Sequence, residues 1–504
     1  MRRMTTFAKL RYLLPVALGV LLIGSVTVYG LYAQKVQVAT KGDNASSLGT
    51  VASSNARIDA KTVALLRARG PAALDELLAR RGAFVEKNPP NLLFPDATPE
   101  ARESREELAR LDALIDAVGG ARYCSTSRLY WHTDLEEAKR ASAESGKPIL
   151  SLHMMGKLTD EYSCANSRFF RTTLYSNAEI SQYLREHFIM HWQSVRPVPK
   201  VTIDFGDGRK LERTLTGNSI HYVLASDGRP VEALPGLYSP AKFLECLKTA
   251  EAAAQTYRHV AAQGNGEEVQ YLREFHAQQA NAIRRTWAAD LRQVSPDFAV
   301  GGRTNIDDAL TQFSTNGASP KEAAIAAELE EIRRKIPPRA LAAAVLARGK
   351  GDVEIPILDA IVMTSEQLES ATADEEMWRK IAALHEGEVQ LDAASIDVIS
   401  RENPDPTADR PMALAVTKAV VETPLLRMVR QLRSSIALDT VRNEYQLHRQ
   451  IHEWFAGGEA PADVTALNER VYAELFLTPS SDPWLGLVTP DVYTGLEGAG
   501  VVSP

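Results

Sequence analysis

The chain has 504 residues, 45% apolar and 24% charged, with a formal net charge of −7. This length holds two or three domains and a sizeable core, and the composition excludes a disordered or fibrous chain. The charges are mixed along the chain, and the absence of a basic stripe, zinc-finger spacing or aromatic-plus-basic motif argues against nucleic acid as a partner.

Arg2, Arg3, Lys9 and Arg11 precede an uncharged stretch from Tyr12 to Ala33. A membrane-crossing helix needs about 20 such residues. Tyr12, Tyr29 and Tyr32 lie at the ends, where amphipathic rings favour the interface. Residues 1–33 are therefore expected to be a signal anchor, with the basic flank in the cytoplasm and the rest exported to the periplasm or its equivalent. A cleaved signal peptide, giving a secreted protein, is the rival reading. Cleavage after Ala33 would place bulky Leu31 three residues back, a poor fit. The only cysteines are Cys124, Cys164 and Cys246. An odd count in an exported chain leaves at least one thiol unpaired within it.

Residues 34–57, rich in Ser, Ala, Gly and Asn, read as a flexible linker. Residues 58–121 read as a helical neck, with two short helices broken at Gly70-Pro71 and a longer one over Pro99–Val118. In residues 122–262 the pattern alternates. A short strand at Leu129-Tyr130-Trp131 leads to a helix over Leu135–Ser145, with Asp134 as its cap and Gly146 at its end. Pro148–Met155 is a short apolar run suited to a buried strand, and helical spacing begins near Cys164. Phe188–Trp192 reads as a strand. Two hairpins follow, around Gly206-Asp207-Gly208 and Asp227-Gly228, and then a helix over Pro240–Arg258. Asp204-Phe205-Gly206 matches the kinase DFG triplet, but no other kinase signature accompanies it, so it is read as turn chemistry.

Trp131-His132-Thr133-Asp134-Leu135-Glu136-Glu137-Ala138, followed by Gly146-Lys147-Pro148-Ile149-Leu150, resembles the opening of thioredoxin-like domains in exported thiol–disulfide proteins. Ala225-Ser226-Asp227-Gly228-Arg229-Pro230 resembles their strand–turn–strand, and Gly236-Leu237-Tyr238 the glycine before their last helix. The resemblance covers about 122–258 and implies a central mixed sheet flanked by helices. The chain departs from the family's pattern at the site itself. Cys164-Ala165-Asn166-Ser167 is C-x-x-S where the family has C-x-x-C, and Ser163 stands where it usually has Trp. The loop 156–163 is longer than usual, and no proline stands near Ser219-Ile220, where the family's cis-proline falls. Dithiol chemistry is not expected.

Residues 263–504 read as a helical C-terminal domain with a loose tail. Helices are expected over Glu267–Arg292, Lys321–Lys335 and Pro424–Phe455; in the last, Leu425, Val429, Leu432 and Ile436 recur at spacings of four, three and four. The expected fold class is thus an α/β thioredoxin-like domain, a large all-α C-terminal domain and an N-terminal transmembrane helix.

The candidate catalytic residues are Cys164, Ser167 and Arg168. A thiol at a helix start meets unpaired N–H groups that favour the thiolate, and Arg168 one turn on adds to this. With Ser167 in the resolving position, a mixed disulfide could not be released by a neighbouring thiol. This suits a monothiol exchange or isomerase-type protein acting on an exported client. The alternative is a non-catalytic binding or scaffold protein of the cell envelope, with Cys164 a partly buried residue at a helix start. Cys124 is either a resolving partner or a free or surface thiol, and Cys246 is core filler. His448 and His452 have metal-ligand spacing but lack H-E-x-x-H and follow a packing stripe, so no metal and no cofactor is expected. His153, His187, His191 and His221 lie on or beside strands; alternation could bring some of them together, but isolated, hydrogen-bonded histidines are the default.

Overall fold

The computed structural model describes residues 59–89, 98–214, 217–294, 376–403 and 424–485. The expectations for Tyr12–Ala33, the linker 34–57, the helix over Lys321–Lys335 and the tail beyond 485 lie outside these residues.

The first helices form where capping chemistry allows them. Asp59 accepts from the Lys61 and Thr62 N–H groups to start α1 (Ala60–Arg67), and Pro71 opens α2 (Pro71–Lys87). Thr98 caps α3 (Pro99–Gly119), whose Leu111, Ile115 and Val118 form its buried stripe. A single turn, α4 (Cys124–Ser127), leads to β1 (Trp131–His132). Asp134 caps α5 (Leu135–Ser145), and left-handed Gly146 ends it. Next come β2 (Ile149–Met155), α6 (Ala165–Phe169) running into a π-helical turn at Phe170–Leu174, α7 (Ala178–His187) and β3 (Ile189–Arg196). Among the described residues β4 (Lys200–Asp204) and β5 (Lys210–Thr214) pair only with each other, followed by β6 (Ser219–Leu224) and β7 (Pro230–Pro235).

The main sheet has the order β1-β3-β2-β6-β7. β1, β3 and β2 are parallel, while β6 runs antiparallel to both β2 and β7. In register, Ser151 lies between His191 and Tyr222 on one face, and Glu232 is paired with Val223 on the other. Every residue of β2, β6 and β7 is buried. A strand apolar on both faces needs cover on both.

That requirement explains the helices that follow: α8 (Pro240–Ala261), α9 (Glu268–Val294) and α10 (Ala393–Glu402), then α11 (Pro424–Arg442), which passes through π-helical Asn443–His448 into α12 (Arg449–Gly457). α13 (Val464–Arg470) continues as a π-helical turn, Val471–Leu475. The fold class expected from sequence is corrected here. Among the described residues no helix is long and apolar enough to cross a membrane. Nor are the C-terminal helices a separate all-α body: Ile436, Tyr445, Ile451 and Trp454 belong to the same hydrophobic cluster as Ile149, Leu150, Val231 and Leu234. Polar contacts fasten the two parts together. Asn443 Nδ2 donates to the Leu237 carbonyl at 2.8 Å, and the Ser239 N–H donates to Thr440 Oγ1 at 2.7 Å. Gly236 adopts φ of +76°, and a Cβ there would collide with the Asn443 side chain, so this crossing needs glycine for both conformation and space.

Candidate functional site

β2 ends at Gly156, whose φ is +76° and whose N–H donates to the Arg196 carbonyl at 2.8 Å. The loop 157–163 returns to the strand end, where the Cys164 N–H donates to the Met155 carbonyl at 3.2 Å. Gly156 sits at the neck, since a Cβ there would lie 3.2 Å from Ser163 Cα. Arg171 fills the space beneath the loop and is 2% exposed. Its guanidinium donates to the carbonyls of Leu158 at 3.0 Å, Asp160 at 2.6 Å and Glu161 at 3.4 Å. Burial, then the nearby Arg122 charge, brings its pKa down to about 10. The loop is therefore held closed from inside by a cation bound to backbone oxygens.

Cys164 lies at the start of α6, as the helical spacing anticipates, but it is 0% exposed. Ser167 Oγ lies 2.7 Å from both Ser163 Oγ and the Cys164 carbonyl, so its hydrogen bonding is local. Arg168 is half-buried and donates to Thr214 Oγ1 at 2.9 Å, towards the end of β5. Burial, then proximity to Cys164, raises the Tyr175 and Tyr472 hydroxyls well above the ordinary tyrosine range, so both stand as neutral phenols near the thiol. Tyr472 comes from the far end of the chain and donates to the Asn218 carbonyl at 3.1 Å. Asn218 Nδ2 in turn donates to Thr478 Oγ1 at 3.0 Å, and Arg196 Nη1 donates to the Asp482 carbonyl at 3.2 Å. Residues 472–482 are thus fixed against the segment preceding β6 and the end of β3, beside the cysteine.

Cys124 is buried rather than at the surface, with its thiol 3.2 Å from the Ala121 carbonyl, and Cys246 is also buried. All three cysteines are free thiols. Burial pushes the Cys124 and Cys246 thiols well above the ordinary cysteine range.

The strand histidines divide between the two faces. Ser151 Oγ lies 2.7 Å from His191 Nδ1 and 3.1 Å from His153 Nε2. His221 points to the opposite face and meets the Tyr175 hydroxyl at 2.6 Å. Burial lowers His153 and His221 to about 3 and His191 to about 4, so all three are neutral at pH 7. His187 pairs instead with Glu251 at 2.9 Å.

A second constellation sits where β7 meets the C-terminal helices. Glu232 Oε1 is 3.2 Å from His448 Nε2 and 4.0 Å from His452 Nδ1. His448 Nδ1 is 2.8 Å from Glu444 Oε2, and Lys242 Nζ is 3.2 Å from Glu444 Oε1. His276, from α9, places Nδ1 2.7 Å from His452 Nδ1 and Nε2 3.1 Å from the Val231 carbonyl. Burial opposes a charge on His448, but Glu444 and Glu232 outweigh it and raise its pKa to about 9. Burial drives His452 well below the usual histidine range.

Helical spacing singles out His448 and His452 but not their partners. Glu232 and His276 are 216 and 176 residues from theirs. The available signal for Glu232 was a carboxylate inside the otherwise apolar strand Pro230–Pro235, since a buried charge requires a partner.

No family model, curated protein or solved structure matches the chain.

Proposed function

We propose that the chain is a non-catalytic binding or scaffold protein built on a thioredoxin-like sheet, in which the cysteine position persists as a packing element. The observation that carries the reading is the complete burial of Cys164 beneath a loop latched by Arg171 and beside residues 472–482. A thiol must be reached by a disulfide sulfur to exchange with it. Ser167 spends its hydroxyl on Ser163 and the Cys164 carbonyl, and Arg168 directs its guanidinium to Thr214. The strand order, and the motifs around Trp131 and Asp227-Gly228, support the thioredoxin-like resemblance. Export and an envelope partner are part of the proposal and rest on the basic flank followed by the uncharged run Tyr12–Ala33.

The test is the modification rate of Cys164 by a disulfide probe, followed by mass spectrometry of the native and urea-unfolded protein. Native Cys164 is expected to react only as fast as the chain unfolds, and Cys164→Ala to leave partner recovery from envelope extracts unchanged. Rapid formation of a mixed disulfide at Cys164 in the native protein would return the monothiol exchange reading to first place.

A further inference from the structure

The cluster at the end of β7 has the features of a cation site. Three donor atoms, one each from Glu232, His448 and His452, lie within 4.8 Å of one another in a fully buried setting. A zinc-class ion bound at about 2.0–2.2 Å places tetrahedral ligand atoms roughly 3.3 Å apart. The 3.2 Å and 4.0 Å separations from Glu232 Oε1 approach that spacing. His276 Nδ1 lies outside that three-donor group and is hydrogen-bonded to His452 Nδ1 at 2.7 Å, so to serve as a fourth ligand it has to give up this bond and turn inward.

The outer hydrogen bonds fix which atoms face inward. The Val231 carbonyl can only accept, so His276 carries its hydrogen on Nε2 and presents an Nδ1 lone pair to the cluster. The Glu444 carboxylate likewise accepts, so His448 carries a hydrogen on Nδ1; the hydrogen on its Nε2, which faces the Glu232 carboxylate, is the proton a bound ion would displace. Metal-bound imidazoles are oriented in this way, by a carboxylate or carbonyl on the far nitrogen. The Ala233 N–H holds Glu232 Oε1 at 2.8 Å, and Lys242 holds Glu444, so both carboxylates are positioned from behind.

We propose that Glu232, His276, His448 and His452 form a buried structural site for a divalent transition-metal ion of the zinc class, with Glu444 and the Val231 carbonyl orienting two of the imidazoles. Four protein donors leave no open coordination position, so the ion's role is to tie β7 to α9 and α12 rather than to activate water. A nitrogen-rich set of this kind selects zinc, cobalt or copper over magnesium or calcium.

The full chain, produced in zinc-supplemented medium and dialysed against metal-free buffer, is expected to retain about one zinc by elemental analysis. Produced with cobalt(II), it should show the intense visible absorption of a tetrahedral ion. Glu444→Gln should keep the stoichiometry but weaken affinity by about 10- to 100-fold, the usual effect of losing an orienting partner. His452→Asn should lose the metal, while His259→Gln, an exposed position on α8, should not. The proposal is overturned if the wild type retains no more zinc than His452→Asn, or if its cobalt spectrum is that of the hydrated octahedral ion. The cobalt spectrum is read on the wild type alone, so the outcome does not depend on a variant folding.

Discussion

Replacing Arg171 with Met tests whether the loop over Cys164 is held from within. Met keeps much of the buried volume and removes the guanidinium. Two carbonyls, of Leu158 and Asp160, lose donors at 3.0 and 2.6 Å, and a weaker third contact at 3.4 Å is lost with them. Hydrogen bonds to a charged group contribute about 1.5–3 kcal/mol each, and an unsatisfied buried carbonyl costs about 1–3 kcal/mol. Against this, a guanidinium no longer has to be buried, which returns part of the loss. The balance is a destabilisation of about 2–4 kcal/mol, a large share of an ordinary domain's total of about 5–15 kcal/mol. The loss falls on a local opening, so Cys164 should become reactive at least about ten-fold faster, since about 1.4 kcal/mol corresponds to a factor of ten. Urea unfolding gives the stability change, and alkylation followed by peptide mass spectrometry gives the site-specific rate. Arg171→Lys should recover only part of either effect, because one ammonium lacks the planar fork that reaches several carbonyls. A stability change under about 1 kcal/mol with an unaltered Cys164 rate would refute the latch.

Three other outcomes follow from the geometry. His385 is hydrogen-bonded at 2.8 Å to both Asp290 and Glu388, and these contacts raise its pKa to about 9. Its stabilisation is therefore complete below the unfolded value of about 6.5 and is lost as pH rises through 9, by about 1–2 kcal/mol after allowance for the exposure of Glu388. Urea midpoints at pH 6 and pH 9.5 should show this loss, and His385→Gln should remove that part of the pH dependence. Gly236→Ala should destabilise by about 2–4 kcal/mol in the same assay, because it combines a left-handed φ with a clash against Asn443; a change within about 0.5 kcal/mol would mean the crossing relaxes freely. Phe205→Ser, at the 56% exposed tip of the β4–β5 hairpin, should leave the midpoint unchanged within about 0.5 kcal/mol, and a larger loss would show that the hairpin packs more tightly than its exposure indicates.

Features set by neighbouring residues were the readable ones. Asp134 and Gly146 bracket α5 by capping chemistry alone, and Gly206-Asp207-Gly208 supplies the β4–β5 turn within a few residues. Cys164 at a helix start was legible for the same reason. Its burial was not, because that depends on Arg171 beneath the loop and on Tyr472, 308 positions further along the chain. The stripe through His448 and His452 reads as packing until Glu232 and His276 are brought to it, and no local pattern encodes those meetings. The π-helical turns at Phe170–Leu174 and Asn443–His448 also escape a reading based on 3.6 residues per turn. Helical periodicity marks the C-terminal helices but not their partner, because it reports an apolar face and not what lies against it. Here that partner is the sheet.

The seating of Tyr472 and residues 478–482 beside Cys164 has a consequence for biosynthesis. The strand, loop and first helix of the thiol region emerge from the ribosome about 300 residues before the segment that completes their cover, which at 5–20 residues per second is an interval of about 15–60 s. Throughout that interval the nascent chain carries a free thiol without its final shield. An oxidant or folding catalyst meeting the chain as it is made therefore encounters a chemically different protein from the finished one. Truncations upstream of Tyr472 would preserve that early state: they should expose Cys164 to disulfide exchange that the complete chain resists.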